Sequence, residues 1–384
     1  MKERTLLPVA VVGLLVLWVA TLALWAGEAQ MTDDDAGPRV SGGETSIEWK
    51  LVTTWPKGLP GLGSAPENFA RRVGEMSNGR LTVRVYGAGE LVPPLGVFDA
   101  VKEGVAEMGH GASYYWKGKV PASVFFTAVP FGMTAQEMNG WLHYGGGLEL
   151  WRELYKPHGL LPFAGGSTGV QMAGWFNREL RSSEDLKNLK MRIPGLAGEV
   201  FALSGGTPVL RAGSEIYTSM QTGDIDAVEW VGPYNDRTLG LMEVAEYYYY
   251  PGWHEPGAML EFTVNQQAFD RLPGDLQAIV EGAARSTNQD MLDEFTARNN
   301  QSLNTLLDEY AVKLRPLPDD VMDVLHRNSV IAMEELKADD PMAQKISASY
   351  EAFLDGVRTY HEISERAYLN ARDRVLPPIT FTDQ

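Results

Sequence analysis

No cysteine occurs in the 384 residues, which excludes disulfide staples, thiolate metal sites, a cysteine nucleophile and a lipidated N-terminal cysteine. Histidine is scarce too: there are six, none clustered with another, so a histidine-based metal or proton relay has little to build on. Positive charge is in deficit. The 33 basic residues against 50 acidic ones leave a net charge of -17, a field that disfavours nucleic acid and an anionic membrane surface as partners. An anion can still be held, but only in a local cationic pocket that overrides the long-range repulsion. There is no repeat of fixed period.

What is present is an ordinary globular balance, 44% hydrophobic and 22% charged, with enough chain for two domains and sizeable cores. One long apolar run stands out. After "MKER" it extends from Thr5 to Ala26 and ends in a polar segment, the pattern of an export signal. Small residues at Gly27 and Ala29 allow cleavage before Gln30, and the run is also long enough to stay as an anchor. Residues 1–29 are therefore expected to be a signal peptide or N-terminal anchor. Their removal takes away two basic and two acidic residues, so the net charge is unchanged. Residues 30–46, rich in Asp, Gly and Ser, read as a flexible linker.

From Ile47 the pattern becomes that of a fold. "IEWKLVTTW" alternates as a strand does, "SAPENFARRVGEMSNG" carries an N-cap, helical periodicity and a glycine stop, and "RLTVRVYG" alternates again. "VPPLGVFDAVKEGVAEMGHGA" repeats the helix-then-strand rhythm, which predicts an α/β fold with a largely parallel sheet. A second α/β run starts at "LLPFAGGSTGVQMAGWFN", has a helix at "AGEVFALSGG", and ends in "AVEWVG" and the tyrosines 247–250, which read as a strand. Helical patterning then dominates to about residue 373, interrupted at Pro316, Pro318 and Pro341.

Two motifs invite an enzymatic reading. "GGSTG" has the spacing of a nucleophile elbow around Ser167. The apolar, strand-like "VQMAGWFN" that follows is not the helix such an elbow needs, so a turn between strands explains it as well. His254 and Glu255 in "PGWHEPG" look like half of a zinc-protease motif, but no second histidine follows and Pro256 precludes a regular helix. An exported serine hydrolase using Ser167 stays open as one alternative, and a metal-stabilised sensory or scaffold module as another.

The remaining unusual charges are Arg192 in "KMRIPG", Glu229 in "AVEWVG" and Glu255, each at or just past the end of a strand-like run. Open α/β sheets bind ligands at such ends. A buried unpaired carboxylate is costly. Arg192 can pair with one glutamate as a plain structural ion pair, or the surplus negative charge can face a metal ion bound by hard oxygens.

At these residues the chain resembles the substrate-binding proteins of tripartite ATP-independent periplasmic (TRAP) transporters, in particular the 2-oxo-acid and lactate binders. The resemblance runs from about Ile47 into the C-terminal helices through "TTWPKGLPGLG", "SYYWKGKVPASVFFTAVPFGM", "TGVQMAGWFN", "LKMRIPG", "IDAVEWVGPYND" and "YYYYPGWHEPG", in that order. It implies an exported, periplasmic solute receptor without catalysis, with a two-lobed periplasmic-binding-protein-like α/β fold, a cleft between lobes, a long helix linking them and a helical C-terminal region. It places residues 47–168 and 259–300 in lobe I, and 169–258 and 301–384 in lobe II. It also implies that Arg192 pairs with the substrate carboxylate, bonding both oxygens through its planar fork. Gln171, Glu229, Glu255 and the backbone carbonyl of Trp230 become oxygen ligands of a calcium or sodium ion, with the Trp230 indole as a pocket wall. At least one of Tyr114, Tyr115 and Trp116 closes over the ligand from the other lobe, with Trp55 a weaker candidate. The implied partners are a small organic acid such as pyruvate or lactate, the membrane permease subunits, and a second copy of the chain through the C-terminal helices.

Overall fold

Ile47–Thr53 forms β1 because its residues first alternate between faces and then bury continuously as the strand enters the middle of a sheet. It pairs in parallel with β2 (Leu81–Tyr86) and β3 (Met108–Gly111). The sheet is completed by β4 (Leu160–Ser167) and, far along the chain, the antiparallel β10 described below. The computed structural model describes residues 46–377 apart from Asp339, so the expected signal or anchor at 1–29 and nearly all of the expected linker lie outside the described residues. Among the described residues, no helix is long and apolar enough to cross a membrane.

The second sheet is built from β5 (Gly174–Phe176), β6 (Lys190–Arg192), β7 (Thr207–Val209), β8 (Ala227–Val228), β9 (Tyr247–Tyr250) and β11 (Lys313–Pro316). Between β9 and β11, β10 (Met259–Asn265) returns the chain to the first sheet. The strand orders are β2-β1-β3-β10-β4 and β11-β9-β5-β8-β6-β7. Both sheets are mixed: β10 runs antiparallel to β3 and β4, and β5 antiparallel to β8 and β9. This corrects the expectation of a largely parallel sheet. Helix–strand rhythm reports βαβ units but is blind to strands that arrive from the other lobe. β11 was not anticipated either, being four residues that end in a proline.

The first sheet is covered on one face by the helix Ser64–Met76, whose Phe69 and Val73 lie one turn apart and bury against Phe262 of β10. Ser64 does not cap this helix. Gly63 occupies the N-cap position, with no side-chain cap, so the expected cap is not there. On the other face Phe126 stacks between Trp141 and Trp151, with ring centroids 5.5 and 4.9 Å apart.

The C-terminal helix Pro341–Ile363 closes that aromatic cluster: the Met133 amide donates to Tyr350 Oη (2.7 Å) and Trp141 Nε1 to Ser349 Oγ (3.1 Å). This segment therefore packs on first-sheet elements, not with the second sheet as expected. Its apolar periodicity says which face is buried, not against what.

The chain passes between the sheets three times: from β4 to β5, from β9 to β10, and along the helix Gly274–Tyr310. That helix has 37 residues, about 55 Å at 1.5 Å per residue. It packs on β4 and on Ser64–Met76, then on the short helix Pro233–Thr238 through Tyr234 and Phe295. Close approach to β4 requires Gly166, where φ is +156° and a Cβ would meet Met291 Sδ at 2.5 Å.

Candidate functional site

The two short crossings are paired with each other, and that pairing builds half of the site. The Gln171 amide donates to the Glu255 carbonyl (3.1 Å), Gly252 N to the Gln171 carbonyl (3.0 Å) and Thr168 N to the Ala258 carbonyl (3.2 Å). Gln171 on one crossing is thereby placed beside Glu255 on the other, and its Nε2 donates to Glu255 Oε2 at 2.7 Å.

The second half comes from parallel pairing of β6 and β8, in which Arg192 opposes Val228 and the Glu229 amide donates to the Arg192 carbonyl (3.1 Å). Arg192 is 1% exposed and Glu229 0%. Nη1 of Arg192 donates to the backbone carbonyl of Glu229 (3.0 Å) and to its Oε2 (3.1 Å), while Nε donates to the Arg211 carbonyl (3.3 Å). The guanidinium carbon lies 5.0 Å from the centre of the Trp230 ring, a cation–π contact.

From the first lobe, Tyr115 Oη accepts from Arg192 Nη2 (3.1 Å) and Tyr114 hydrogen-bonds to Glu255. Arg192, Gln171, Trp230, Glu255, Tyr114 and Tyr115 line one cavity, together with Trp55 and Thr168. The cavity is nearly filled by its walls, with a volume of only about 10 Å³. Entry of any solute therefore requires the walls to move apart.

Trp116 does not join this cavity; its Nε1 donates instead to Glu261 Oε1, whose Oε2 accepts from Tyr155 Oη (2.9 Å). The sequence places three aromatics in a row, and the 3-10 turn Ser113–Trp116 sends the third into the core. Ser167 lies at the end of β4 with its Oγ accepting the Gly169 amide (3.3 Å). Among the described residues no histidine or carboxylate is hydrogen-bonded to it, so the site lacks the base a nucleophile needs.

Several residues of the site were not anticipated. His254, dismissed as a zinc-motif fragment, is 1% exposed with both ring nitrogens unpartnered and Nε2 4.0 Å from Glu229 Oε1. Asp236 anchors the segment after Trp230: Oδ2 accepts from Trp175 Nε1 and Tyr248 Oη, and Oδ1 from the amides of Val231 and Gly232. Asn235 accepts the Trp230 indole N–H.

The electrostatics are those of an unfinished cluster. Burial pushes the Glu229 carboxyl well above the usual range, opposed by Arg192 and reinforced by Glu255 and Asp236. Burial likewise pushes Glu255 up to about 7, against the pull of Arg192 and hydrogen bonds from Tyr114 and Gln171. For Arg192, burial disfavours the charge, but Glu229 and the surrounding tyrosines and Glu255 more than offset it and hold its pKa above the ordinary value.

Among the described residues of the site, two buried oxygens, Gln171 Oε1 and Glu229 Oε1, have no hydrogen-bond partner, and orphaned buried acceptors need an explanation. Ligand atoms of Glu229, His254 and Glu255 lie within 4.8 Å of one another. The carboxylates of Glu229 and Glu255 and the Gln171 amide oxygen are hard donors that suit a hard cation, with the His254 nitrogens close by, so the residues present fit one.

Two α/β lobes joined by several passages of the chain, with a buried cation-and-acid cluster in the cleft, define a solute receptor of the binding-protein type. The chain belongs to the DctP family, bacterial extracellular solute-binding protein family 7, whose model matches residues 51–327, and it is the solute receptor of a TRAP transporter. A monocarboxylate 2-oxoacid-binding periplasmic protein of Nostoc sp. is 40% identical over 370 residues, 96% of this chain and 98% of that one. A TRAP periplasmic solute-binding protein of Pseudoalteromonas atlantica, solved with bound sodium and pyruvate, is 46% identical with a TM-score of 0.83 and covers 85% of this chain and 99% of its own. The Colwellia psychrerythraea counterpart, solved with bound calcium and pyruvate, is 45% identical with the same TM-score and coverage.

Proposed function

We propose that this receptor captures a small 2-oxo or 2-hydroxy monocarboxylate together with a calcium or sodium ion, in the periplasm, and hands the acid to the membrane permease subunits without catalysis. The observation that carries the reading is a buried Arg192 lining one cavity with Gln171, whose Oε1 has no hydrogen-bond partner, while Glu229, ion-paired to Arg192 just behind that cavity, keeps its Oε1 without one. Arg192 and two glutamates leave one surplus negative charge. A divalent ion would turn that into one surplus positive charge, which a single carboxylate neutralises.

Gln171, Glu229, Glu255 and the Trp230 carbonyl would hold the cation, which supplies positive charge that both the acidic cluster and the acid can face. Arg192 would orient the carboxylate, and Tyr114 and Tyr115 would close over it. The tightness of the cavity favours acids with few carbons. Closure is favourable because these contacts form only when both lobes contribute. The homodimer is supported by the helix Glu365–Val375, which buries no residue of its own and exposes Tyr368 and Leu369.

A thermal-shift screen of metal-depleted protein tests the reading, since native-state binding raises the melting temperature. Pyruvate, lactate, longer 2-oxo acids and simple carboxylates are added with and without calcium or sodium. A rise that needs both acid and cation is expected, and Arg192→Ala abolishes it. Acid-independent behaviour of the native chain rejects the assignment and favours the metal-stabilised module.

A further inference from the structure

Asn235 is fully buried at the third position of the helix Pro233–Thr238, and its two amide atoms face opposite lobes. Oδ1 accepts the indole N–H of Trp230, on its own lobe. Nδ2 donates to the carbonyl of Pro60 at 2.5 Å. Pro60 lies in the loop between β1 and the helix Ser64–Met76, the loop that also carries Trp55. That carbonyl is itself fixed by the Leu62 amide (2.7 Å).

We infer that Asn235 is an interlobe clasp, a positioning residue that stabilises the closed cleft while fixing the Trp230 wall against the ligand. Trp230 is otherwise held by the Arg192 face contact, by the edge of Trp55 with ring centroids 6.0 Å apart, and by Gly213, where a Cβ would meet its ring at 2.5 Å. None of these fixes the rotation of the indole N–H, and Asn235 does. Asn235 itself is secured to the second lobe, because the neighbouring Asp236 is bonded to Trp175 and Tyr248 of that sheet. Separation of the lobes therefore strains the bond to Pro60, not the bond to Trp230. A planar amide suits the role, since one atom must accept from an indole while the other donates to a carbonyl.

The proposal takes its ligand from the receptor reading above, but its distances can be measured without it. Because the chain has no cysteine, Met76→Cys on the first lobe and Leu203→Cys on the second, at half-exposed positions, accept spin labels selectively. Interlobe distance distributions are recorded for the parent, Asn235→Asp and Asn235→Ser, over a pyruvate series with calcium and also with neither. Asn235→Asp keeps the acceptor for Trp230 and replaces the donor to Pro60 with a carboxylate oxygen that repels the carbonyl.

The expected result is a distribution shifted to longer distances, with half-closure needing about tenfold more pyruvate, the factor one buried hydrogen bond of ordinary strength supplies. Melting curves establish that each variant is folded, and Asn235→Ser carries the same test if the aspartate disrupts packing. Distributions superimposable on the parent in every condition overturn the clasp. If pyruvate moves none of the proteins but the ligand-free variants are still more open, the clasp stands and the acid assignment falls.

Discussion

Nη1 of Arg192 donates to the backbone carbonyl and to Oε2 of the same residue, Glu229, at 3.0 and 3.1 Å. The arginine is thus locked to its neighbour strand before any ligand is considered. Breaking such a buried pair from one side costs several kcal/mol. For this reason Arg192→Lys separates anchoring from stability better than removal does. Lysine keeps the charge near Glu229 but cannot present a planar fork. Acid affinity should fall roughly 10- to 100-fold, the worth of a charge-assisted hydrogen bond, with little change in the melting temperature of the cation-loaded protein. Calorimetric titration with pyruvate checks this; affinity equal to the parent's would remove Arg192 from the binding role.

Glu255→Gln keeps an acceptor for the Gln171 amide and deletes one charge from the acidic cluster. Calcium affinity should drop at least about tenfold, or ~1.4 kcal/mol, with unchanged far-ultraviolet dichroism. A calcium titration of the metal-depleted protein that matches the parent would place the cation elsewhere.

The parts of this site that were legible in the sequence are those whose chemistry clashes with their surroundings. Glu229 stands at the end of an apolar run, and Arg192 and Glu255 at comparable places, so burial and charge together demanded partners. Gln171 had no such signal of its own and came only through the ordered motif matches, as did Tyr114 and Tyr115. Asn235, Asp236 and Glu261 were invisible. A polar residue in "GPYND" or "LEFTVN" reads as a turn or an exposed strand face until the donors from remote segments are known. Trp116 shows the converse, since a run of three aromatics does not reveal which ring a 3-10 turn directs inward. At the level of fold, periodicity located the helices well. The antiparallel entry of β10 and the docking of Pro341–Ile363 on the first sheet depend on long-range pairing that no local pattern encodes.

One hydrogen bond of that docking can be removed singly and its loss measured. Tyr350→Phe removes the oxygen that accepts the Met133 amide and leaves a buried N–H unpaired. The expected cost is about 1–3 kcal/mol of unfolding free energy, with pyruvate affinity little altered because neither Met133 nor Tyr350 lines the cavity. Urea unfolding monitored by tryptophan emission reads it. A neutral outcome would mean the helix contributes nothing at this point of the first-sheet cluster.

The pH dependence of stability has an identifiable source in Glu261. Burial pushes its carboxyl up to about 7 from an ordinary 4.5, despite hydrogen bonds from Trp116 and Tyr155; no cation is paired with it among the described residues. The folded value lies above the unfolded one, so the folded state binds the proton more tightly. This contribution to stability is whole below about pH 4.5 and is lost as pH rises through about 7. A shift of this size corresponds to roughly 3 kcal/mol at most. Glu261→Gln stays neutral and can still accept from Trp116 while its amide donates to Tyr155 Oη. The variant should therefore gain on the parent, in urea midpoint, between pH 5 and pH 8.5. Parallel midpoint profiles across that range would show that Glu261 does not titrate there and that the burial of its charge is met by a partner.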